Sequence, residues 1–307
     1  MASTAFLFPG QGSQSPGMGA AVAQRYASAR TVFEEADDAL NFELSRLCFE
    51  GPASELKRTE ITQPAILTAS VATLAALRER GVTAGFVAGH SLGEYSALVA
   101  AGSLRFRDAV RLVHLRGRRM QEAVPQGVGA MAALLGIHAG AVERVCAEAS
   151  DGQVVSPANF NSPIQTVIAG HTEAVRRAVK LARRTGARRA VMLHVSAPFH
   201  CSLMEPARIA MEPELDKAGF DDLQAGLINN WQAAEVRTGN AARTGLKEQI
   251  ANPVRWHQTI EALKARGVDR FVEVGPGRVL TGLMRSIDRS LPAASTHNLA
   301  SLEGLSA

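Results

Sequence analysis

Phe86-Val87-Ala88-Gly89-His90-Ser91-Leu92-Gly93 is the stretch that decides the fold. Its first three residues predict a short buried strand, and a helical run from Glu94 to Ala101 follows directly. Between strand and helix lies the pattern Gly-x-Ser-x-Gly, which in this context is typical of a nucleophile elbow. The glycines allow the backbone to crowd around a tight turn that presents the serine hydroxyl to a cleft. We therefore expect Ser91 to be a nucleophile; the alternative is a structural turn with an incidental serine.

Two backbone amides near the elbow are candidate donors to an oxyanion. The amide of Leu92 lies at the start of the helix, where the helix dipole adds positive potential. A second glycine turn, Pro9-Gly10-Gln11-Gly12, follows the short apolar strand 5–8 and is suited to bring the amide of Gln11 to the same place. This turn also resembles a dinucleotide-binding fingerprint, but Ser15 occupies the position of the third glycine. The oxyanion hole is therefore the favoured interpretation.

A nucleophilic serine needs a base, and His200 is the best placed of the eight histidines. It comes shortly after a predicted strand over 189–195, and catalytic residues collect at strand ends in open α/β sheets. His90 adjoins the nucleophile, where neighbouring side chains diverge, and His194 alternates with apolar residues as in a packed strand. We expect His200 to be the base; the alternative is a structural histidine. No Asp or Glu stands out as a third member, so a backbone carbonyl is a candidate to orient the ring.

Arg116 lies on the apolar face of a helix predicted over 108–122. At about 100° per residue it shares that face with Val113, whereas His114 falls on the polar side. An arginine on an apolar face must be paired, because an unpaired buried charge costs several kcal/mol. We expect either a structural salt bridge to a buried carboxylate or a bidentate site for a substrate carboxylate or phosphate.

The order of predicted elements indicates an α/β protein in two parts. Residues 1–126 and 197–307 give short apolar strands alternating with helices, which is typical of a parallel sheet. Between them, residues 127–196 follow the order βαββαβ of a split βαβ unit. We expect a discontinuous catalytic core, 1–126 and 197–307, with a small subdomain inserted over 127–196. One long amphipathic helix is expected from Pro64, at its first helical position, to Arg80.

The composition excludes several classes of protein. A chain of 307 residues that is 46% hydrophobic is not mainly disordered. Three scattered cysteines predict neither a disulfide framework nor a zinc site and fit a reducing compartment. A net charge of +4 is small for nucleic-acid binding, although some of the spread arginines suit an acidic partner. No basic residue precedes Arg25 and no long apolar run occurs, so we expect no signal peptide, no membrane-spanning helix and a cytosolic location.

Taken together, these motifs resemble the malonyl-CoA:acyl carrier protein transacylases of bacterial fatty-acid synthesis. The similarity runs nearly end to end and in order, and acyltransferase domains of polyketide synthases share the pattern. The segments that carry it are Phe8–Gln14, Thr62–Ala65, Gly89–Ala97, Gly127–Ala132, Asn159–Pro163, Phe199–Cys201, Asn252–Val254 and Val272–Gly277.

The resemblance implies an α/β-hydrolase-like core with a ferredoxin-like insert. In this family Ser91 would accept the acyl group, with His200 as its base and the amides of Gln11 and Leu92 as the oxyanion hole. Arg116 would pair with the malonyl carboxylate. The family also uses a glutamine just before the Asn-Pro-Val segment, here Gln249, whose carbonyl orients the histidine.

The resemblance also implies the partners. They are a coenzyme A thioester and acyl carrier protein, with no cofactor, no metal, no nucleic acid and no membrane, and we expect a monomer. Phe199, where some members carry a small residue, is typical of malonyl-preferring relatives and disfavours methylmalonyl substrates. Two alternatives remain open: a discrete acyltransferase serving a polyketide synthase, and a serine thioesterase or esterase built on the same elbow.

Overall fold

The computed structural model describes residues 3–193, 195 and 197–306, which form two β-sheets surrounded by helices. The strands are β1 Ser3–Phe8, β2 Phe86–Gly89, β3 Gly129–Leu135, β4 Val155–Ser162, β5 Gln165–His171, β6 Arg189–Met192, β7 Gly226–Ile228, β8 Glu235–Val236, β9 Val268–Glu273 and β10 Ala293–Ser295. The helices are α1 Ala20–Arg25, α2 Ala27–Leu40, α3 Leu44–Glu50, α4 Ala53–Leu56, α5 Thr59–Glu79, α6 Gly93–Ala100, α7 Phe106–Glu122, α8 Ala139–Ala149, α9 Thr172–Arg184, α10 Glu205–Lys217, α11 Gly239–Gln249, α12 Trp256–Ala265, α13 Val279–Ile287 and α14 Leu299–Glu303. A short 3-10 helix covers Ser202–Met204.

The larger sheet has six strands in the order β10-β9-β1-β2-β7-β8. Neighbouring strands within this sheet are parallel, except that β7 and β8 are antiparallel. The side chains of β1 alternate between two hydrophobic cores, one on each face of the sheet. Phe6 and Phe8 pack in one core, and Ala5 and Leu7 pack in the other. Burial on both faces explains why the central strands are short apolar runs. The carboxyl ends of the parallel strands share one edge, which is where the first glycine turn and the elbow emerge.

The smaller sheet is antiparallel, with the order β4-β5-β3-β6. Helices α8 and α9 pack on it and share a separate core formed by residues 132–190. This is the predicted βαββαβ unit, so the predicted fold class, an α/β core with a mostly parallel sheet and a separate small antiparallel unit, is confirmed. The subdomain boundaries at 127 and 196 stay a prediction. Strand β6 ends at Met192, and the predicted packing of His194 lies outside the described residues.

Helix α5 differs from its prediction. It begins at Thr59, five residues before Pro64, and it is buried on nearly all sides rather than amphipathic. Proline inside a helix removes the amide that would bond to the carbonyl four residues earlier, here that of Glu60. The ring of His114 donates to this carbonyl instead, with Nδ1 and the carbonyl oxygen 2.8 Å apart. The half-buried His114 therefore does not lie on the polar side of α7, as the helical wheel predicted.

Helix α5 has two further features, its apolar character and its close contact with α7. By length and hydropathy alone, Thr59–Glu79 is apolar enough to cross a membrane, but 89% of its apolar 18-residue window is buried inside the fold, as in the core helix of a globular protein. Helix α7 crosses α5 closely at Gly117, where a Cβ would lie 2.6 Å from the carbonyl oxygen of Thr59. This close approach brings Arg116 next to Gln63 on α5.

Candidate active site

Ser91 occupies a strained turn between β2 and α6. Its φ of 53° lies in the left-handed region that non-glycine residues rarely adopt. A Cβ on Gly89 would lie 1.9 Å from the carbonyl carbon of Gly93, and a Cβ on Gly93 would lie 2.1 Å from the carbonyl oxygen of Phe8. Only glycine fits at these two positions. Strain of this kind persists where the surroundings enforce it, and it concentrates at functional sites.

His200 lies against the hydroxyl of Ser91. Its Nε2 is 2.7 Å from Oγ of Ser91, and its Nδ1 is 2.8 Å from the backbone carbonyl oxygen of Gln249. A carbonyl only accepts, so Nδ1 carries the proton in the neutral ring and the Nε2 lone pair faces the serine. Like Ser91, His200 has a positive φ, here 60°. The structure thus brings together the predicted nucleophile, the predicted base and the carbonyl of Gln249.

The surroundings keep His200 neutral. Its side chain is only 3% exposed, and burial together with the nearby charge of Arg116 lowers its pKa to about 3. The ring is therefore unprotonated at neutral pH and available to accept a proton from Ser91.

Arg116 is 1% exposed and has no ion pair among the described residues. Instead its guanidinium donates to three neutral oxygens: Nη1 to Oε1 of Gln63 at 2.7 Å, and Nη2 to Oε1 of Gln249 at 2.8 Å and to Oγ of Ser91 at 3.1 Å. Its Nε has no partner in the described part of the chain. The first expectation for Arg116, a structural salt bridge to a buried carboxylate, is therefore not met by these contacts. A buried cation beside the nucleophile, with a spare donor, suits an anionic ligand.

The side chain of Gln249 connects the site. Its Nε2 donates to the backbone oxygen of Ser91 at 2.9 Å and to Oε2 of Glu94 at 2.8 Å, while its Oε1 accepts from Arg116. The carbonyl of the same residue holds His200. One residue at the end of α11 therefore contacts the nucleophile, the base and the guanidinium.

The predicted oxyanion donors line the same cavity as Ser91. The turn before Gln11 is pressed against the elbow, since a Cβ on Gly10 would lie 2.4 Å from the carbonyl oxygen of His90. Among the described residues, the amides of Gln11 and Leu92 have no hydrogen-bond partner. Both residues line a cavity of about 210 Å³ together with Ser91, Arg116 and His200.

The far wall of this cavity comes from the smaller sheet and from α13. From the smaller sheet, Met131 and Val167 supply apolar surface, and Asn159, Asn161 and Gln165 supply polar groups; Phe199, next to His200 in the chain, adds further apolar surface. Leu280 and Leu283 of α13 also line it. Glu273 fixes the start of that helix, because its carboxylate accepts from the amides of Leu280 and Thr281. The cavity thus lies between the two sheets of the protein.

Several polar residues at the site were missed by the sequence analysis. Asn230, just beyond β7, accepts from the amide of Ser91 at 2.7 Å and donates to the carbonyl of Gly89 at 2.6 Å, so it braces both sides of the elbow. Glu94 is fully buried, and burial raises its pKa to about 7. A charged residue in the apolar run of α6 was the available signal for Glu94, as it was for Arg116. For Asn230 the signal was its place at the carboxyl end of a strand.

His90, judged a poor base, turns away from the nucleophile. Its Nε2 is 2.8 Å from Oδ1 of Asn161 on the smaller sheet, and its ring packs on Trp256. His90 therefore links the two sheets across the cavity. Among the described residues, no group of three His, Cys, Asp or Glu side chains is arranged to hold a metal ion.

Comparison with known proteins shows the family of the chain. The family model described as acyl transferase domain matches residues 5–302. A malonyl CoA-acyl carrier protein transacylase of Escherichia coli K12 is 50% identical over 296 residues, which is 96% of each chain. The Bacillus subtilis protein of the same name is 46% identical over 305 residues, covering 99% of this chain and 96% of the relative.

Solved structures show the same relationship. The malonyl CoA-acyl carrier protein transacylase of Coxiella burnetii superposes with a TM-score of 0.96 at 42% identity, covering 98% of this chain and 96% of that chain. A malonyl-transacylase in complex with a type II polyketide synthase acyl-carrier protein gives a TM-score of 0.96 at 46% identity, with 98% of each chain covered.

Proposed function

Since the chain belongs to the acyl transferase family, we propose that it transfers a malonyl group from malonyl-CoA to the phosphopantetheine thiol of acyl carrier protein. The observation that carries this proposal is the contact of Ser91 with both a neutral histidine and a buried arginine that has no carboxylate partner among the described residues. The first pair suits acyl transfer, and the second suits an acyl group that ends in a carboxylate.

The first half-reaction forms a malonyl-serine ester. His200 accepts the hydroxyl proton at Nε2 while Oγ of Ser91 attacks the thioester carbonyl carbon. The tetrahedral intermediate then collapses, the carbon–sulfur bond breaks, and the proton passes from His200 to the departing sulfur of coenzyme A. The Gln249 carbonyl stabilises the protonated ring through Nδ1–H, as an Asp does in other serine enzymes.

The second half-reaction runs the same steps in reverse. The pantetheine thiol of acyl carrier protein gives its proton to His200 and attacks the ester carbonyl. The carbon–oxygen bond to Ser91 breaks, and the serine oxygen regains its proton from His200. In both halves the amides of Gln11 and Leu92 donate to the oxyanion, where each such donor contributes on the order of 3 kcal/mol.

Arg116 provides selectivity in this proposal. Its charge is buried and has no carboxylate partner in the described part of the chain, so a malonyl carboxylate gains a charge-assisted hydrogen bond that an acetyl group cannot make. The same residue donates to Oγ of Ser91, which stabilises the oxygen as its negative charge develops. Phe199, which lines the cavity, leaves less room for a methyl branch next to the malonyl carboxylate.

The remaining expectations follow from this reaction. All of its chemistry is supplied by side chains and backbone amides, so we propose that no cofactor is needed and that coenzyme A and acyl carrier protein act as substrates. We further propose a monomer acting in the cytoplasm, in fatty-acid synthesis. Service to a polyketide synthase is a second candidate, because a relative was solved with such a carrier protein.

A steady-state assay separates transfer from hydrolysis. The purified protein is incubated with malonyl-CoA, with and without holo acyl carrier protein, and both malonyl-carrier protein and free malonate are measured. We expect product on the carrier protein and little free malonate without it. Rapid malonate release without carrier protein would instead identify a thioesterase. Comparing fatty-acid and polyketide carrier proteins as acceptors distinguishes the two transferase candidates.

A further inference from the structure

Glu94 is a buried carboxylate that the mechanism above does not use. It is the second residue of α6, fully buried, and has no ion pair within the described part of the chain. Its Oε2 accepts from Nε2 of Gln249 at 2.8 Å and from the backbone amide of Asn230 at 3.1 Å, whereas its Oε1 has no partner among the described residues. Both contacts of this carboxylate therefore lead to residues that touch Ser91.

The contact with Gln249 has a direction that can be assigned from chemistry. A guanidinium only donates, and Oε2 of Glu94 is an acceptor here, because it also accepts from the backbone amide of Asn230. Between them, the amide of Gln249 must place its oxygen toward Arg116 and its nitrogen toward Glu94, as observed. Without an acceptor at position 94, only the bond from Nε2 to the backbone oxygen of Ser91 would hold the amide in this orientation, and an amide that turned over would present its NH2 group to Arg116. Two donors would then face each other, and the guanidinium would lose one of its three contacts.

We propose that Glu94 is a positioning residue, which fixes the amide of Gln249 with its oxygen toward Arg116 and so sets the guanidinium for a carboxylate on the substrate. Glu94 acts through Gln249 and touches no reacting atom. The inference rests on the proposed function, because it assigns Arg116 to the malonyl carboxylate. It deepens that function by placing part of the substrate selectivity on α6, one residue removed from the cavity wall.

Two variants of nearly equal volume test the acceptor role. Glu94→Gln keeps an oxygen that can accept from both Gln249 and Asn230, with its NH2 group at the unpartnered position of Oε1. Glu94→Met fills the same space without an acceptor. For wild type and both variants, kcat/KM is measured with malonyl-CoA and with acetyl-CoA, using holo acyl carrier protein as acceptor, and Tm is recorded to compare folding.

The ratio of malonyl to acetyl kcat/KM is the decisive quantity, because acetyl has no carboxylate for Arg116. We expect Glu94→Met to lower this ratio at least tenfold, and Glu94→Gln to keep it within about threefold of wild type. Equal losses with both substrates in Glu94→Met would show a purely structural role and overturn the proposal. A tenfold loss of the ratio in Glu94→Gln would overturn it too.

Two other outcomes are distinguishable from these. If Glu94→Met does not fold, Glu94→Gln decides alone, since a kept ratio supports the acceptor role and a lost ratio refutes it. If the wild-type protein transfers no malonyl group at all, the proposed function fails, whereas failure of this inference leaves wild-type transfer intact.

Discussion

Replacing Arg116 by alanine tests the origin of malonyl selectivity. Arg116 is 1% exposed, its Nη2 lies 3.1 Å from Oγ of Ser91, and its hydrogen-bond partners among the described residues are all neutral: Gln63, Gln249 and Ser91. A malonyl carboxylate bound there gains a buried ionic contact that acetyl cannot make. The variant should therefore lose malonyl transfer far more than acetyl transfer.

The size of the effect follows from the burial of the charge. Removing one partner of a buried ion pair costs about 3 to 5 kcal/mol. At 1.36 kcal/mol per factor of ten, this lowers kcat/KM for malonyl-CoA by roughly 150- to 5,000-fold. For acetyl-CoA, the variant loses mainly the donor to Ser91, a single hydrogen bond of about 1 kcal/mol or roughly fivefold. The ratio of the two constants should then fall by at least about 30-fold.

The assay follows transfer of labelled malonyl and acetyl groups from coenzyme A to holo acyl carrier protein. Arg118→Ala is the matched control, because this arginine lies on the same helix with a half-exposed side chain facing Glu122 and should leave the ratio unchanged. Arg116→Lys keeps the charge without the planar fork, and an intermediate ratio is expected. A ratio in Arg116→Ala within threefold of wild type would refute the assignment of Arg116 to the substrate carboxylate.

Two further predictions concern stability. Burial lowers the pKa of His200 to about 3, whereas a histidine in the unfolded chain is protonated below about pH 6.5. Because protons then bind the unfolded state more readily, His200 makes the free energy of unfolding decrease as the pH falls below about 6.5. Between pH 7.5 and 5.0 the wild type should lose about 2 kcal/mol more stability than His200→Gln, measured by denaturant unfolding, and identical pH dependences would contradict the neutral buried ring. Gly93→Ala should abolish folding or lower Tm sharply, because its Cβ would meet the carbonyl oxygen of Phe8 at 2.1 Å. Gly140→Ala, where a Cβ meets nothing within 4 Å, is its control, and equal Tm values for the two variants would show that the elbow tolerates a side chain.

The features predicted well from sequence are those with local signatures. The elbow at Ser91 combines a strand, two glycines and a helix within a few residues, so its geometry follows from short-range sterics. Arg116 was found because a helical wheel places it among apolar residues. The predicted fold class and activity are confirmed, the latter through the resemblance of motifs spread over the whole chain.

The features that were missed depend on distant partners. The start of α5 was placed too late, because the carbonyl left free by Pro64 is satisfied by His114, 54 residues away. The contacts of Glu94 join residues 136 and 155 positions apart. A backbone carbonyl such as that of Gln249 leaves no mark in the sequence, so its role came only from the resemblance. Tertiary contacts of this kind cannot be derived from local patterns.

Mass spectrometry of the intact protein after brief exposure to malonyl-CoA tests the central claim most directly. The account predicts that the wild-type chain gains the mass of one malonyl group, that peptide mapping places it on Ser91, and that holo acyl carrier protein removes it. Ser91→Ala should gain no mass under the same conditions. An unlabelled wild-type chain, or equal labelling of Ser91→Ala, would contradict a malonyl-serine intermediate.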